Sequence, residues 1–209
     1  MIRIALLIGL LSFALQDKAP EGATVLDASQ FTMEDGKPCG WAVVDGSLEV
    51  GKGSIITKEK YQDFQLHVEF NIPEPPAGST GQARSNSGVY IQRRYEVQIL
   101  ESMGDDPPKY NGCASIYTQK APDKNAAKKA GEWQTYDITF KAARFDDAGK
   151  KTAGARITVI WNGVKVHDDY EITGKTGAGK PEGAEPGPIL LQDHGAKVRF
   201  RNLWILPKK

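Results

Sequence analysis

Apolar residues along this chain recur mainly at every second position. In DFQLHVEF (63–70), Phe64, Leu66, Val68 and Phe70 fall on one face and Gln65, His67 and Glu69 on the other, which predicts a half-buried strand. TYDITFKAARF (135–145) alternates in the same way through Tyr136, Ile138 and Phe140. Two strands around Asn162-Gly163 are predicted in RITVIWNGVKVHDDYEI (156–172), and WAVVDGSLEV (41–50) turns at Asp45-Gly46. The stretch NSGVYIQRRYEVQILES (86–102) reads as two strands joined at a pair of arginines. Its apolar set is Val89, Ile91, Val97 and Ile99; Tyr90, Gln92, Glu96 and Gln98 line the opposite face, with Glu101 beyond. PILLQDHGAKVRFRNLWILP at the C-terminus supplies two more strands, and only APDKNAAKKA (121–130) suggests a short helix or helical turn.

Many short strands punctuated by Gly, Pro, Asn and Asp, without strand–helix alternation, predict an all-β sandwich or barrel. The Gly/Pro-rich segments 71–85 and 173–188 read as long surface loops within one domain. Loops of that kind either edge a binding groove or serve as solvated connections.

The chain has 209 residues, a length that one sandwich domain often occupies. A formal net charge of +1, and no basic cluster interleaved with aromatics, argue against a nucleic-acid surface. Residues 1–16 carry one early charge, Arg3, then an apolar run and the small-x-small signal Ser12-Phe13-Ala14. They read as a secretory signal peptide, leaving residues 17–209 as one exported domain, periplasmic or extracellular, with no later membrane span. An oxidising compartment allows Cys39 and Cys113 to pair, but spacing alone leaves pairing open.

Taken with GEWQTYDITFKAARFD (131–146), the NGVKV hairpin and GPILLQDHGAKVRFRNLWILP (187–207), the stretch 86–102 resembles the 3-keto-disaccharide hydrolase family over roughly residues 24–207. The resemblance implies a concanavalin A-like, laminin-G-like jelly roll, a β-sandwich of two antiparallel sheets. It also implies action on glycosides whose sugar carries a ketone at carbon 3, so the expected partner is a carbohydrate.

A ketone at carbon 3 acidifies the hydrogen on carbon 2. Removal of that proton leaves an enediolate, the oxygen on carbon 1 departs by elimination, and water then adds. This chemistry needs a base, donors for the developing oxyanion and an acid for the leaving group. Glu96 is the expected base, with Glu101 or His194 as acid. Arg84, Arg199 and Arg201 are candidates for the oxyanion or sugar hydroxyls; Asn86, Gln92, Gln98 and Asp193 are candidate hydrogen-bonding groups, and Tyr90 and Trp133 candidate aromatic neighbours of the sugar. A single bulge at Ile99 or Leu100 would return Glu101 to the face of Glu96. The resulting E-x-Q-x-x-E is similar to the E-x-D-x-x-E strand of laminarinase-like retaining glycosidases, whose carboxylates stand about 5–5.5 Å apart. Here an amide, Gln98, replaces the middle carboxylate.

No cofactor is demanded by the sequence. A divalent ion held by Glu96, Glu101, Asp193 or His194 would stabilise an enediolate, yet no ligand-spacing motif specifies one. His67 and Glu69 share a polar strand face and are expected to be structural; His167, on a hairpin arm, is expected at the surface. Alternative readings are a carbohydrate-binding module without turnover and a conventional retaining glycosidase built on Glu96 and Glu101.

Overall fold

The structure is a computed structural model describing residues 18–208. The proposed signal peptide therefore lies outside the described residues. In chain order the strands are β1 (Thr24–Val25), β2 (Phe31–Met33), β3 (Ala42–Val44), β4 (Ser47–Glu49), β5 (Ile55–Thr57), β6 (Phe64–Asn71), β7 (Ser87–Ile91) and β8 (Tyr95–Ile99). They continue as β9 (Trp133–Lys141), β10 (Arg144–Phe145), β11 (Lys151–Ala153), β12 (Ala155–Trp161), β13 (Val164–Ile172), β14 (Leu190–Leu191) and β15 (Arg199–Pro207).

Two antiparallel sheets make the jelly-roll sandwich. The larger runs β13-β12-β9-β6-β15-β4-β3, with β1 also paired to β15; the smaller runs β2-β5-β14-β7-β8. The predicted alternation is what places the core. Phe64, Leu66, Val68 and Phe70 of β6, with Tyr136, Ile138 and Phe140 of β9, form the inner face of the large sheet. Val89, Ile91, Val97 and Ile99 of β7 and β8 belong to the same core. Aromatic side chains knit the layer, with Phe70 against Tyr136 at 4.6 Å and Phe64 against Phe140 at 5.3 Å between ring centroids.

Both dipeptide turns form as expected, Asp45-Gly46 between Val44 and Ser47 and Asn162-Gly163 between Trp161 and Val164. All four residues have positive φ, the backbone a two-residue turn demands. Residues 121–130, by contrast, form no helix. The Asn125 amide donates to the carbonyls of Ser102 and Asp105 while its oxygen accepts from the Ala127 N–H. These side-chain bonds tie the segment to a neighbouring loop and compete with helical pairing.

His167 is another correction, because it is fully buried rather than exposed. The β12–β13 register slips on both sides of Val159, so Val166 and His167 both turn inward. His167 Nε2 donates to the Ala114 carbonyl at 2.8 Å, and burial pushes its pKa down to about 4. Cys39 and Cys113 are unpaired; the buried Cys113 thiol lies 3.1 Å from the Tyr136 hydroxyl. His67 and Glu69 are structural, as expected. His67 Nδ1 meets Asp137 at 2.6 Å and its ring stacks on Trp204, while Glu69 accepts from Arg201 at 2.6 Å. Among the described residues, no helix is long and apolar enough to cross a membrane.

Candidate active site

β7 and β8 are buried on both faces, although only one face is apolar. The polar face is covered from two directions. Residues 112–117 bond along β8, with Ala114 N–H to Gln98 O, Gln98 N–H to Ser115 O and Tyr117 N–H to Glu96 O. Residues 173–188 fold over the β7–β8 turn: Thr176 N–H donates to Arg94 O, Lys180 N–H to Arg93 O, and the Arg93 guanidinium to Ala178 O. The Glu96 N–H closes this contact on Thr176 Oγ1 at 2.7 Å. What remains open between these covers is a cleft of about 280 Å³.

Glu96 sits in its wall, only 3% exposed. The Tyr90 hydroxyl donates to Glu96 Oε2 at 2.8 Å, and Gln192 Nε2 donates to the same hydroxyl at 3.5 Å. Among the described residues, Glu96 Oε1 has no hydrogen-bond donor. Space for the carboxyl comes from Gly88, where an added Cβ would stand 2.6 Å from Glu96 Oε1. Burial pushes the Glu96 pKa up to about 7; the Tyr90 hydrogen bond and the Arg93 charge pull the other way without cancelling the effect. A carboxylate so tuned exchanges protons near neutral pH, which suits a general base. The proximity of Glu96 in turn raises the pKa of Tyr90, after burial itself, so Tyr90 remains a donor.

An amide row continues the wall. Gln98, 1% exposed, donates from Nε2 to Gln82 Oε1 at 2.8 Å, and Asn86 Nδ2 donates to that oxygen at 3.0 Å. Among the described residues, buried Asn86 Oδ1 has no hydrogen-bond partner. Tyr117 and His194 complete the cleft, the second at its exposed mouth.

Of the residues singled out in sequence, the structure gathers Glu96, Tyr90, Asn86, Gln98 and His194 around one cleft. It places the others elsewhere. The β7–β8 register runs unbroken from Ile91↔Tyr95 to Ser87↔Ile99, where the strand ends, so no bulge lies within β8; beyond it the Glu101 N–H donates to the Arg84 carbonyl. Glu101 instead lies 3.7 Å from Arg84 and accepts from the Met103 N–H. Arg84 is itself held by Asp105 at 2.7 Å, outside the cleft lining. Gln92 falls in the turn rather than the strand. Its positive φ swings the side chain to the Tyr61 carbonyl, and Arg94 donates to its oxygen.

Arg199, Arg201 and Trp133 belong to the opposite sheet. Arg201 lies over the Trp133 ring at 3.9 Å and pairs with Glu69; Arg199 pairs with Glu49 and Asp45. Their alternation was read correctly, but alternation does not say which side of the sandwich carries the cleft. Asp193 organises its own loop, accepting from the Gly53 and Gly195 N–H groups.

Sequence reading missed Gln82, Tyr117 and Gln192. Gln192 was accessible to the same period-two rule, since Leu190 pairs with Tyr90 and Gln192 follows on the same side. Gln82 and Tyr117 sit in loops without periodicity. Among the described residues, no three His, Cys, Asp or Glu side chains converge as a metal site. Glu96 and His194 both line the cleft, but Glu101 and Asp193 are engaged away from them.

The 3-keto-alpha-glucoside-1,2-lyase-like domain matches residues 21–206. The chain belongs to this family. A crystal structure of a provisionally named glycosyl hydrolase from Parabacteroides distasonis is 36% identical, with TM-score 0.84 over 91% of this chain and 86% of that one. A second such protein from the same organism is 22% identical, with TM-score 0.65 over 90% and 95% of the two chains. Alginate lyase Aly36B bound to an alginate tetrasaccharide shares the fold at 11% identity, with TM-score 0.51 over 91% of this chain and 99% of that one. Comparison with curated proteins finds no match. Membership of the 3-keto-alpha-glucoside-1,2-lyase-like family makes this a carbohydrate-active enzyme.

Proposed function

We propose that this protein cleaves glycosides carrying a ketone at carbon 3, by elimination followed by hydration, with Glu96 as the base. The observation that carries this reading is a single buried carboxyl, with one oxygen held by Tyr90, its pKa raised to about 7 and facing a sugar-sized polar cleft. Glu96 takes the proton from carbon 2, and the electron pair is delocalised onto the carbon 3 oxygen. Gln192 Nε2 and the Tyr117 hydroxyl are the donors available to that oxygen. The enediolate then collapses, the bond between carbon 1 and the glycosidic oxygen breaks, and His194 at the mouth supplies the leaving group with its proton. Water adding across carbons 1 and 2 yields the free 3-keto sugar. Tyr90 acts through Glu96 by fixing its orientation and is a positioning residue. Residues 1–16 are proposed to direct export of the mature domain.

A retaining glycosidase needs a second carboxylate about 5–5.5 Å from the first. Glu101, the candidate for that part, is engaged by Arg84 away from the cleft lining, which favours the elimination route. The test is a product assay with a 3-keto-disaccharide and its unoxidised parent, using wild type and Glu96→Gln. Cleavage of the ketone alone, lost in the variant, supports the proposal. Cleavage of the parent sugar would overturn it in favour of ordinary hydrolysis. Binding without product from either sugar would identify a carbohydrate-binding module instead.

A further inference from the structure

The cleft does not end at Glu96. A second cavity of about 700 Å³ adjoins it, and Gln82, Asn86 and His194 line both. The two chambers differ in chemistry. Around Glu96, the small one presents amides, a carboxyl and phenolic hydroxyls. The large one exposes mostly carbon, from Pro73 and Pro76 of the 71–85 loop and from Ala196, with Glu74, Ser85 and Lys197 also on its lining. Ala83 contributes from the short 3-10 helix Gly81–Ala83.

A sugar ring moved into this chamber would meet only a few polar partners, Glu74, Ser85 and Lys197 besides the three shared residues, and each hydroxyl left over among the exposed carbon would lose water at considerable cost. An apolar ring gains from the same move, because burial of its carbon surface is favourable. The small chamber is near the lower end of ligand-pocket sizes and suits one sugar ring; the large chamber is ample for a multi-ring group. At the junction stand His194 and Asn86, whose Oδ1 lacks a partner among the described residues although the residue is 3% exposed. That acceptor is placed to receive a hydroxyl donor where the two parts of a substrate join.

We infer that the large chamber receives the leaving group, and that this leaving group is an apolar alcohol rather than a second sugar. The inference rests on the proposed cleavage of 3-keto-glycosides and adds to it the chemical class of the departing half. Bond changes are those already given: the proton on carbon 2 passes to Glu96, the bond from carbon 1 to oxygen breaks, and the alcohol departs with a proton from His194.

The experiment compares two 3-keto-glucosides whose leaving groups are both primary alcohols, so that intrinsic reactivity is matched. One carries cyclohexylmethanol and the other is a disaccharide linked through carbon 6 of glucose. Affinities are read by calorimetry in Glu96→Gln, and kcat/KM in wild type. Burial of a few ring methylenes predicts a preference of at least about tenfold for the cyclohexylmethyl compound in both readings. Equal affinities, or a preference for the disaccharide, would overturn the inference while leaving cleavage of both ketones, and hence the broader function, standing. Because affinity is measured without turnover, the chamber's preference for an apolar group is decided separately from cleavage, whose absence for both compounds would instead count against the proposed function. Ala83→Trp, a change at an exposed position, fills the chamber and should bring the affinity ratio towards one. A ratio unchanged in a folded Ala83→Trp protein would place the apolar contact elsewhere and refute the assignment.

Discussion

Replacing Glu96 by Gln should abolish turnover and, at alkaline pH, make the protein more stable. In the folded state the Glu96 pKa rises from 4.5 to about 7, so the native form holds a proton that the unfolded chain releases. That difference is worth about 3 kcal/mol, fully present below pH 4.5 and lost as pH rises through 7. His167 has the opposite linkage. Its pKa falls from 6.5 to about 4, so its contribution, again about 3 kcal/mol, is complete above pH 6.5 and lost as pH falls through 4. Between pH 4.5 and 6.5 the two slopes offset each other, and wild-type stability should be nearly flat.

Glu96→Gln unmasks the His167 slope: stability should climb between pH 4 and 6.5 and then hold. At pH 8 the variant should exceed wild type by up to about 3 kcal/mol, or ~6–12 °C in Tm for a domain of this size. At pH 4.5 the two should coincide. His167→Gln, which keeps a donor towards the Ala114 carbonyl, should instead lose stability as pH rises from 4.5 to 7. Thermal or urea denaturation across pH 4–8 reads all three proteins. A Glu96→Gln advantage independent of pH, or a variant less stable than wild type at pH 8, would refute the argument.

Other consequences are more local. Gly88→Ala puts a methyl against Glu96 Oε1 and should cost at least about tenfold in kcat by displacing the base, with the fold retained by circular dichroism. Tyr90→Phe removes a donor to the ionised carboxyl, so the acidic limb of the kcat/KM profile should move upward by about one pH unit; an unmoved limb would contradict a link between Tyr90 and the base. Arg84→Ala breaks the pairs with Asp105 and Glu101 and should lower stability by about 1–3 kcal/mol, measured by urea denaturation, while kcat on the 3-keto-disaccharide changes less than about threefold.

The fold was legible because its inner faces obey a strict period of two and its tightest turns carry Asp-Gly and Asn-Gly. The same period correctly put Tyr90, Glu96 and Gln98 on one polar face. It failed at Gln92, where the chain leaves the strand, and at His167, where a register slip inverts the following side chains. Glu101 required an irregularity that nothing in its local sequence specifies; it lies beyond the end of β8 and is engaged by Arg84 away from the cleft lining. For Arg199 and Arg201 the alternation was right but sidedness was not, because pairing of β15 with β6 and β4 is a long-range fact. The covers of the cleft, residues 112–117 and 173–188, have neither period nor propensity to announce them. Gly177 and Ala178 reach the site because the flanking Thr176 and Lys180 N–H groups bond the Arg94 and Arg93 carbonyls and the Arg93 guanidinium holds the Ala178 carbonyl, contacts that only the folded chain displays.

The central claim is that a buried, half-neutralised Glu96 removes the proton on carbon 2 of a 3-keto sugar. Deuterium at carbon 2 of a 3-keto-disaccharide tests it directly. Wild type should release the label to solvent and slow by about 2–7-fold at that step, an order expected for a bond broken in the rate-limiting proton transfer. Glu96→Gln should do neither. Cleavage by wild type with the deuterium retained at carbon 2 and no slowing would contradict the account.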